Sequence, residues 1–289
     1  MKTLIFGQNG QLSSEFKKRL GSDKDVYQVG HDQADFLKPE QVVKLIKEFK
    51  PAQIINCSAY TAVDKAETDR EAAMQINGFI LGVIGETAKK VGSSVFHYST
   101  DYVFNGQQNT AYLETDTVDP INYYGLTKQV GEKNLIETCD KALIFRISWV
   151  YGIYGNNFLK TMLRLGKERP ELKIVDDQVG APTASADIAD ATLRIMKDRE
   201  VTDKAGIYHM SPHGQTTWYG FTQKIIESAA KEPRFKIITE SVLPINSDQF
   251  PSAAKRPKYS LLASKKLMAT FQVELPEWSE SLKMVLKGL

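Results

Sequence analysis

Apolar residues in the first half of the chain fall into five short runs: Thr3–Phe6, Val26–Val29, Gln53–Cys57, Ser94–Tyr98 and Ala142–Ile147. Each is nearly continuous rather than strictly alternating, as expected of a strand covered on both faces. Between them lie longer stretches with helical spacing, Ser14–Leu20, Val42–Phe49, Glu71–Val91 and Tyr124–Thr138. Parallel strands need crossover connections, so strand and helix in alternation predict an α/β chain with a doubly wound parallel sheet. Beyond residue 150 the alternation loosens, and Pro170, Pro182, Pro212, Pro233, Pro244, Pro251, Pro257 and Pro276 break the chain into shorter elements. We read 151–289 as a smaller lobe packed intimately on the sheet of 1–150, lending it elements of its own. No repeat or flexible linker separates the halves, and a cleft between lobe and sheet suits a small molecule.

Charge narrows the partners: 37 Lys and Arg nearly balance 35 Asp and Glu, for a net charge of +2. Nucleic acid is not expected as a partner, because the densest basic groups, Lys17-Lys18-Arg19 and Lys265-Lys266, are small and read as solvated helix faces. No apolar stretch approaches membrane-spanning length, and the opening run Thr3–Phe6 is too short for a signal-peptide core, so a cytoplasmic protein is expected. Cys57 and Cys139 lack metal-ligand or redox-motif spacing and read as reduced thiols.

Candidate chemistry begins where the first strand ends, at Gly7-Gln8-Asn9-Gly10-Gln11-Leu12-Ser13. Glycines there let the backbone turn tightly and approach a pyrophosphate, which the N–H groups of the following helix can hold. Ser13 replaces the third glycine of such a loop, and an ordinary strand-to-helix turn is the plainer alternative. After the second strand, Gly30 stands where an NAD-selective site often places an acid, followed by His31 and Asp32. That favours NADPH while leaving NADH open.

Tyr124 and Lys128 are spaced i, i+4, which stacks them on one helix face. In that arrangement the ammonium is expected to lower the phenol's pKa toward working pH, so that the tyrosine can protonate a nascent alkoxide. The lysine could also hold the nicotinamide ribose. Chance pairing on an amphipathic helix is the competing explanation, and Ser99-Thr100-Asp101-Tyr102-Val103-Phe104 changes the odds, since Thr100 supplies a hydroxyl to polarise a carbonyl.

In this order the loop, Thr100, Tyr124 and Lys128 resemble the extended short-chain dehydrogenases of Rossmann type. Further blocks, Asn56–Glu67, Ser99–Phe104, Arg146–Gly152 and Asp177–Thr183, make the chain similar to the dTDP-4-dehydrorhamnose reductase family over nearly its whole length. The resemblance implies that Gly7, Asn9, Gly10, Gln11 and Leu12 serve the cofactor phosphates, that Asp35 and Phe36 flank the adenine, and that Ser58, Ala59 and Tyr60 line the dinucleotide. It gives 1–150 the cofactor and 151–289 mainly the substrate. Val63, Thr100, Asp101, Trp149 and Arg256 then fall where the family meets a dTDP-linked keto sugar. For Trp149 core packing, and for Arg256 a surface charge, are the plain alternatives.

The resemblance also brings magnesium near a dimer contact. Glu15 stands in the matching place, but Ala186–Asp190 does not clearly supply acidic partners, so no metal ligand is assigned; a homodimer stays open. The implied reaction is reduction of the C4 ketone of dTDP-4-dehydro-L-rhamnose with Tyr124 as proton donor. Rivals are a reductase of another nucleotide-linked ketosugar, an epimerase or dehydratase on the same scaffold, and a non-catalytic, NADP-binding partner of methionine adenosyltransferase.

Overall fold

The computed structural model describes all 289 residues. Six strands form the central sheet: β1 (Thr3–Phe6), β2 (Val26–Val29), β3 (Gln53–Asn56), β4 (Ser94–Thr100), β5 (Ala142–Ile147) and β6 (Gly206–His209). All pair in parallel, in the spatial order β6-β5-β4-β3-β1-β2. The alternation of side chains along each strand divides the core in two. Ile5, Ile55, Phe96, Leu143 and Phe145 pack on one face. Leu4, Phe6, Ile54, Val95 and Ile144 pack on the other.

Helices cover both faces, which is why the strands carry apolar residues at successive positions. On the first face lie α1 (Gln11–Leu20) and α5 (Ser185–Ile195), contributing Phe16, Ile188 and Ile195. On the second lie α2 (Pro39–Phe49), α3 (Ile80–Val91) and α4 (Tyr123–Thr138), contributing Val42, Ile46, Ile84 and Leu135. The stretch 71–91, read as one helix from its spacing, is broken into Arg70–Met74, a π-helical turn Gln75–Phe79, and α3. π-Turns of this kind concentrate at functional sites. This one buries Asn77.

Three elements of the second half belong to the central sheet and its cover: β6, α5 and the helix Lys265–Phe271, the last through Leu267 and Phe271. Most of the remainder builds a separate core around Tyr151, Leu159, Phe221, Phe235 and Leu282, carried by helices Phe158–Glu168, Trp218–Ala230 and Trp278–Gly288. A parallel strand pair, Glu171–Val175 with Ser241–Ile245, closes this lobe. No helix is long and apolar enough to cross a membrane.

Candidate active site

Strand order reverses direction between β1 and β3, and the crevice beyond the carboxyl ends of these strands is the switch point where open α/β sheets bind ligands. The loop Gly7–Gly10 leaves β1 there, Cys57–Tyr60 leaves β3, and Asp35-Phe36 follows β2. Gly7 has φ +107°, and a side chain on it would meet the Ser58 hydroxyl at 3.3 Å. Gly10 caps α1 with no side-chain hydrogen bond, leaving the first-turn N–H groups open to an anion. The cradle therefore fits a pyrophosphate.

Side chains in this region divide by role. Asn9 is exposed, whereas Leu12 and Phe36 are buried in the two cores, Phe36 edge-on to Phe6. Asp35 accepts from the Leu37 N–H and lies 3.4 Å from His31, so the histidine is already engaged by a carboxylate. Gln11 reaches the second half, donating to the Val150 carbonyl and accepting from Asn157. Tyr60 is clamped by Asn77, whose amide oxygen accepts the Tyr60 N–H (2.8 Å) while its NH2 donates to the Tyr60 carbonyl (3.0 Å) and to Thr127 of α4 (3.1 Å). Asn77 thus ties the cofactor-side loop to the helix that carries Tyr124 and Lys128.

That helix starts at Tyr123 because Asn122 caps it, accepting the Gly125 N–H at 2.8 Å and donating to the Lys255 carbonyl. Gly125 lies against the Tyr102 carbonyl, where any side chain would collide. The close approach brings Tyr124 beside Thr100, the last residue of β4, and sets its ring edge-on to Tyr102 at 5.9 Å. Thr100 donates to Asp101 Oδ1 and accepts the Tyr102 N–H, both at 3.1 Å. Asp101 is 2 % exposed, its Oδ2 has no hydrogen-bond partner, and burial pushes its carboxyl up to about 7. It is an acid poised to hold its proton.

One expectation about the pair is corrected. Lys128 does not depress the Tyr124 phenol; desolvation pushes that phenol up to about 12, opposed by the neighbouring Thr100 hydroxyl and reinforced by Asp101. The lysine is instead drawn under the sheet edge, where Nζ donates to the Tyr98 carbonyl (2.6 Å) and meets His97 Nε2 (3.1 Å). Its own pKa is pushed down to about 8 by burial. Spacing placed both residues on one helix face, but could not show that β4 presents a carbonyl and an imidazole to the amine.

On the lobe side, Trp149 adopts φ +46° and stacks on Trp218 with centroids 3.7 Å apart. Gly180 leaves room for its indole. Arg256 grips Asp64 through Nη2 (2.7 Å) and Nη1 (3.2 Å), beside Val63 at the start of a short helix. Beyond it opens a groove of about 1660 Å³ lined by Phe158, Gln178, Trp218, Arg256 and Lys258. Arg256 is the one anticipated site residue that lines this groove; Thr100, Tyr124 and Lys128 lie outside it. Trp218 and Asn77 were not anticipated. Asn77 had a faint signal in the Asn77-Gly78 interruption of a helical stretch, whereas Trp218 had none.

Magnesium does not fit the residues in the place the resemblance suggested. Arg19, grouped with Lys17 and Lys18 as solvated, instead bonds Glu15, both carboxylate oxygens of Asp190 and the Ala186 carbonyl. The guanidinium occupies and neutralises the carboxylates that a cation would need, and Asp187 is taken by Ser281.

The family described as RmlD substrate binding domain matches residues 1–289. A dTDP-4-dehydrorhamnose reductase of Burkholderia thailandensis is 41 % identical, with 100 % of this chain and 99 % of the relative covered. A dTDP-4-dehydrorhamnose reductase crystal structure from Clostridium acetobutylicum superposes with TM-score 0.92 at 38 % identity, covering 99 % of each chain. One from Bacillus anthracis, in complex with NADP, gives TM-score 0.92 at 37 % identity over 100 % of both. Crevice, capped helix and threonine at the end of β4 thus sit in a chain that belongs, from end to end, to the RmlD substrate binding domain family.

Proposed function

We propose that this protein is a reductase that uses NADPH, with NADH accepted, to convert the C4 ketone of dTDP-4-dehydro-L-rhamnose to the alcohol of dTDP-L-rhamnose. The observation that carries the reading is Tyr124 facing Thr100 at the carboxyl edge of the sheet, next to a cradle built for a dinucleotide. Gly7, Asn9, Gly10, Gln11 and Leu12 hold the phosphates, Asp35 and Phe36 border the adenine, and Ser58, Ala59 and Tyr60 line the remainder. No acid stands at Gly30 to repel a 2′-phosphate. The free thiols of Cys57 and Cys139 suit a reducing, cytoplasmic setting.

When bound, the reduced nicotinamide supplies a hydride to C4. Thr100 turns its hydroxyl from Asp101 to donate a hydrogen bond to the ketone oxygen and stabilises the charge that grows there. A phenol held near 12 is protonated at neutral pH, the state required of a donor, and Tyr124 passes that proton to the same oxygen. Solvent then returns the proton to the phenolate. Asp101, Val63, Trp149 and Arg256 border the sugar nucleotide, with the Arg256 fork available to a diphosphate by exchange from Asp64.

Loss of nicotinamide absorbance on mixing protein, NADPH and dTDP-4-dehydro-L-rhamnose tests the reading, beside a Tyr124→Phe variant that is expected to lose about 10²–10⁴ in turnover. Full activity in that variant refutes the role of Tyr124. Cofactor binding without turnover refutes the substrate and turns attention to UDP- and GDP-linked ketosugars. Failure with all of them favours the non-catalytic partner.

A further inference from the structure

A chain of hydrogen bonds runs beneath the site from the loop after β3 to Lys128. The Ser58 N–H donates to Asn56 Oδ1 at 3.0 Å, which fixes the Asn56 amide and turns its NH2 toward His97 Nδ1, 3.1 Å away. An amide NH2 only donates, so Nδ1 must accept. A neutral imidazole then carries its proton on Nε2, and Nε2 lies 3.1 Å from Lys128 Nζ. Both side chains are about 1 % exposed, so no bulk solvent relieves a mismatch.

An ammonium also only donates. A charged Lys128 would therefore set its N–H against the Nε2–H of His97, and moving the ring proton to Nδ1 merely transfers the clash to Asn56. Wherever that proton sits, a charged lysine leaves one donor–donor contact. A neutral amine leaves none: its lone pair accepts from Nε2–H while it donates to the Tyr98 carbonyl.

We infer that His97 is a positioning residue that stabilises the neutral amine of Lys128 and so sets the pH at which the catalytic lysine takes up its charge. Its surroundings act in the same sense. Burial already pushes Lys128 down to about 8, and burial together with the neighbouring lysine holds His97 well below its ordinary range, so that the ring stays neutral. The opposing group is Glu132, one turn along α4, and it is paired with Arg146 of β5. Asn56 also makes the lysine sensitive to the loop carrying Ser58, so a shift of that loop is felt at Nζ.

The inference rests on the reductase reading only for the part Lys128 plays in the reaction; its test needs no turnover. In ¹⁵N-labelled protein without ligand, two-dimensional spectra of the four histidines, assigned with His97→Gln, report the tautomer directly. The Nε2–H form is expected at neutral pH; the Nδ1–H form or an imidazolium overturns the inference. The Lys128 Cε resonance, assigned with Lys128→Met, is expected to titrate near neutrality. In His97→Gln, whose amide oxygen can accept from an ammonium, that titration moves up by about one pH unit or more, a tenfold change in the protonation constant. An unchanged Lys128 titration in folded His97→Gln also overturns it. If the variant does not fold, the wild-type tautomer decides. In the reductase assay the kcat/KM profile of folded His97→Gln is expected to shift in the same direction.

Discussion

Replacing Glu132 by Gln removes the anionic half of the most enclosed ion pair in the protein. Its two oxygens accept from Arg146 Nε at 2.9 Å and Nη2 at 2.7 Å, with the side chains 4 % and 3 % exposed. Beyond one hydrogen bond to the Gln amide oxygen, what the guanidinium retains is a 3.4 Å contact with His209 and the face of Phe104, 5.0 Å from its carbon. Neither neutralises a buried cation, and breaking one side of such a pair costs about 3–5 kcal/mol. Unfolding entropy of about 2 cal/mol/K per residue amounts to roughly 0.6 kcal/mol per degree for a chain of this length, so Tm should fall by about 5–8 °C. Calorimetry at pH 7 measures it directly. A paired Glu132→Leu, Arg146→Met variant, which removes both charges, should recover most of the loss, because burying the pair is itself costly. A Tm within about 1 °C of wild type in Glu132→Gln would refute the claim that this pair fastens α4 to β5.

Three further outcomes follow from the site. Gly7→Ala places a Cβ at φ +107° against Ser58, and should cost about 1–3 kcal/mol in a denaturant titration; dinucleotide affinity, read by fluorescence, should fall with it. Asp101 has a folded pKa raised to about 7 against an unfolded value near 4, so its stabilising contribution is full below about pH 4 and is lost as pH rises through 7. Urea titrations from pH 5 to 9 should show that loss in wild type and not in Asp101→Asn; equal slopes would contradict a neutral carboxyl. Arg256→Ala should raise KM for the sugar nucleotide roughly tenfold or more while leaving kcat within a few-fold, since the residue lines the lobe-side groove and neither Thr100 nor Tyr124 does. A kcat collapse with KM unchanged would place it in the chemistry instead.

Five of the six central strands were legible because a strand covered on both faces must be apolar throughout, and Thr3–Phe6 or Ala142–Ile147 admits little else. The sixth, Gly206–His209, was not: four residues that open on a glycine carry too little pattern to outweigh their surroundings. That Tyr124 and Lys128 share a helix which follows Thr100 was legible from spacing alone; the role of the three in chemistry is a proposal. The direction of Lys128 was hidden, since it depends on His97, which looks like any alternate residue of a buried strand. A π-turn adds a single residue to a helical repeat, too small a change for the spacing of 71–91 to reveal. Trp149 was visible as a candidate, but its stacking partner Trp218 lies far along the chain.

The outermost strand of the sheet has a consequence for synthesis. Until β6 arrives, β5 is an unprotected edge, with the apolar run Ala142–Phe145 on both faces and its hydrogen-bonding groups open toward any other extended chain. Translation at about 5–20 residues per second leaves that edge bare for roughly 3–12 seconds while residues 148–209 are made. A ribosome stalled in this interval, or a fragment ending near residue 150, would therefore release a chain with an adhesive flank. The nascent protein's exposure to aggregation is thus governed by the order in which the sheet is completed, and is concentrated in the stretch between β5 and β6.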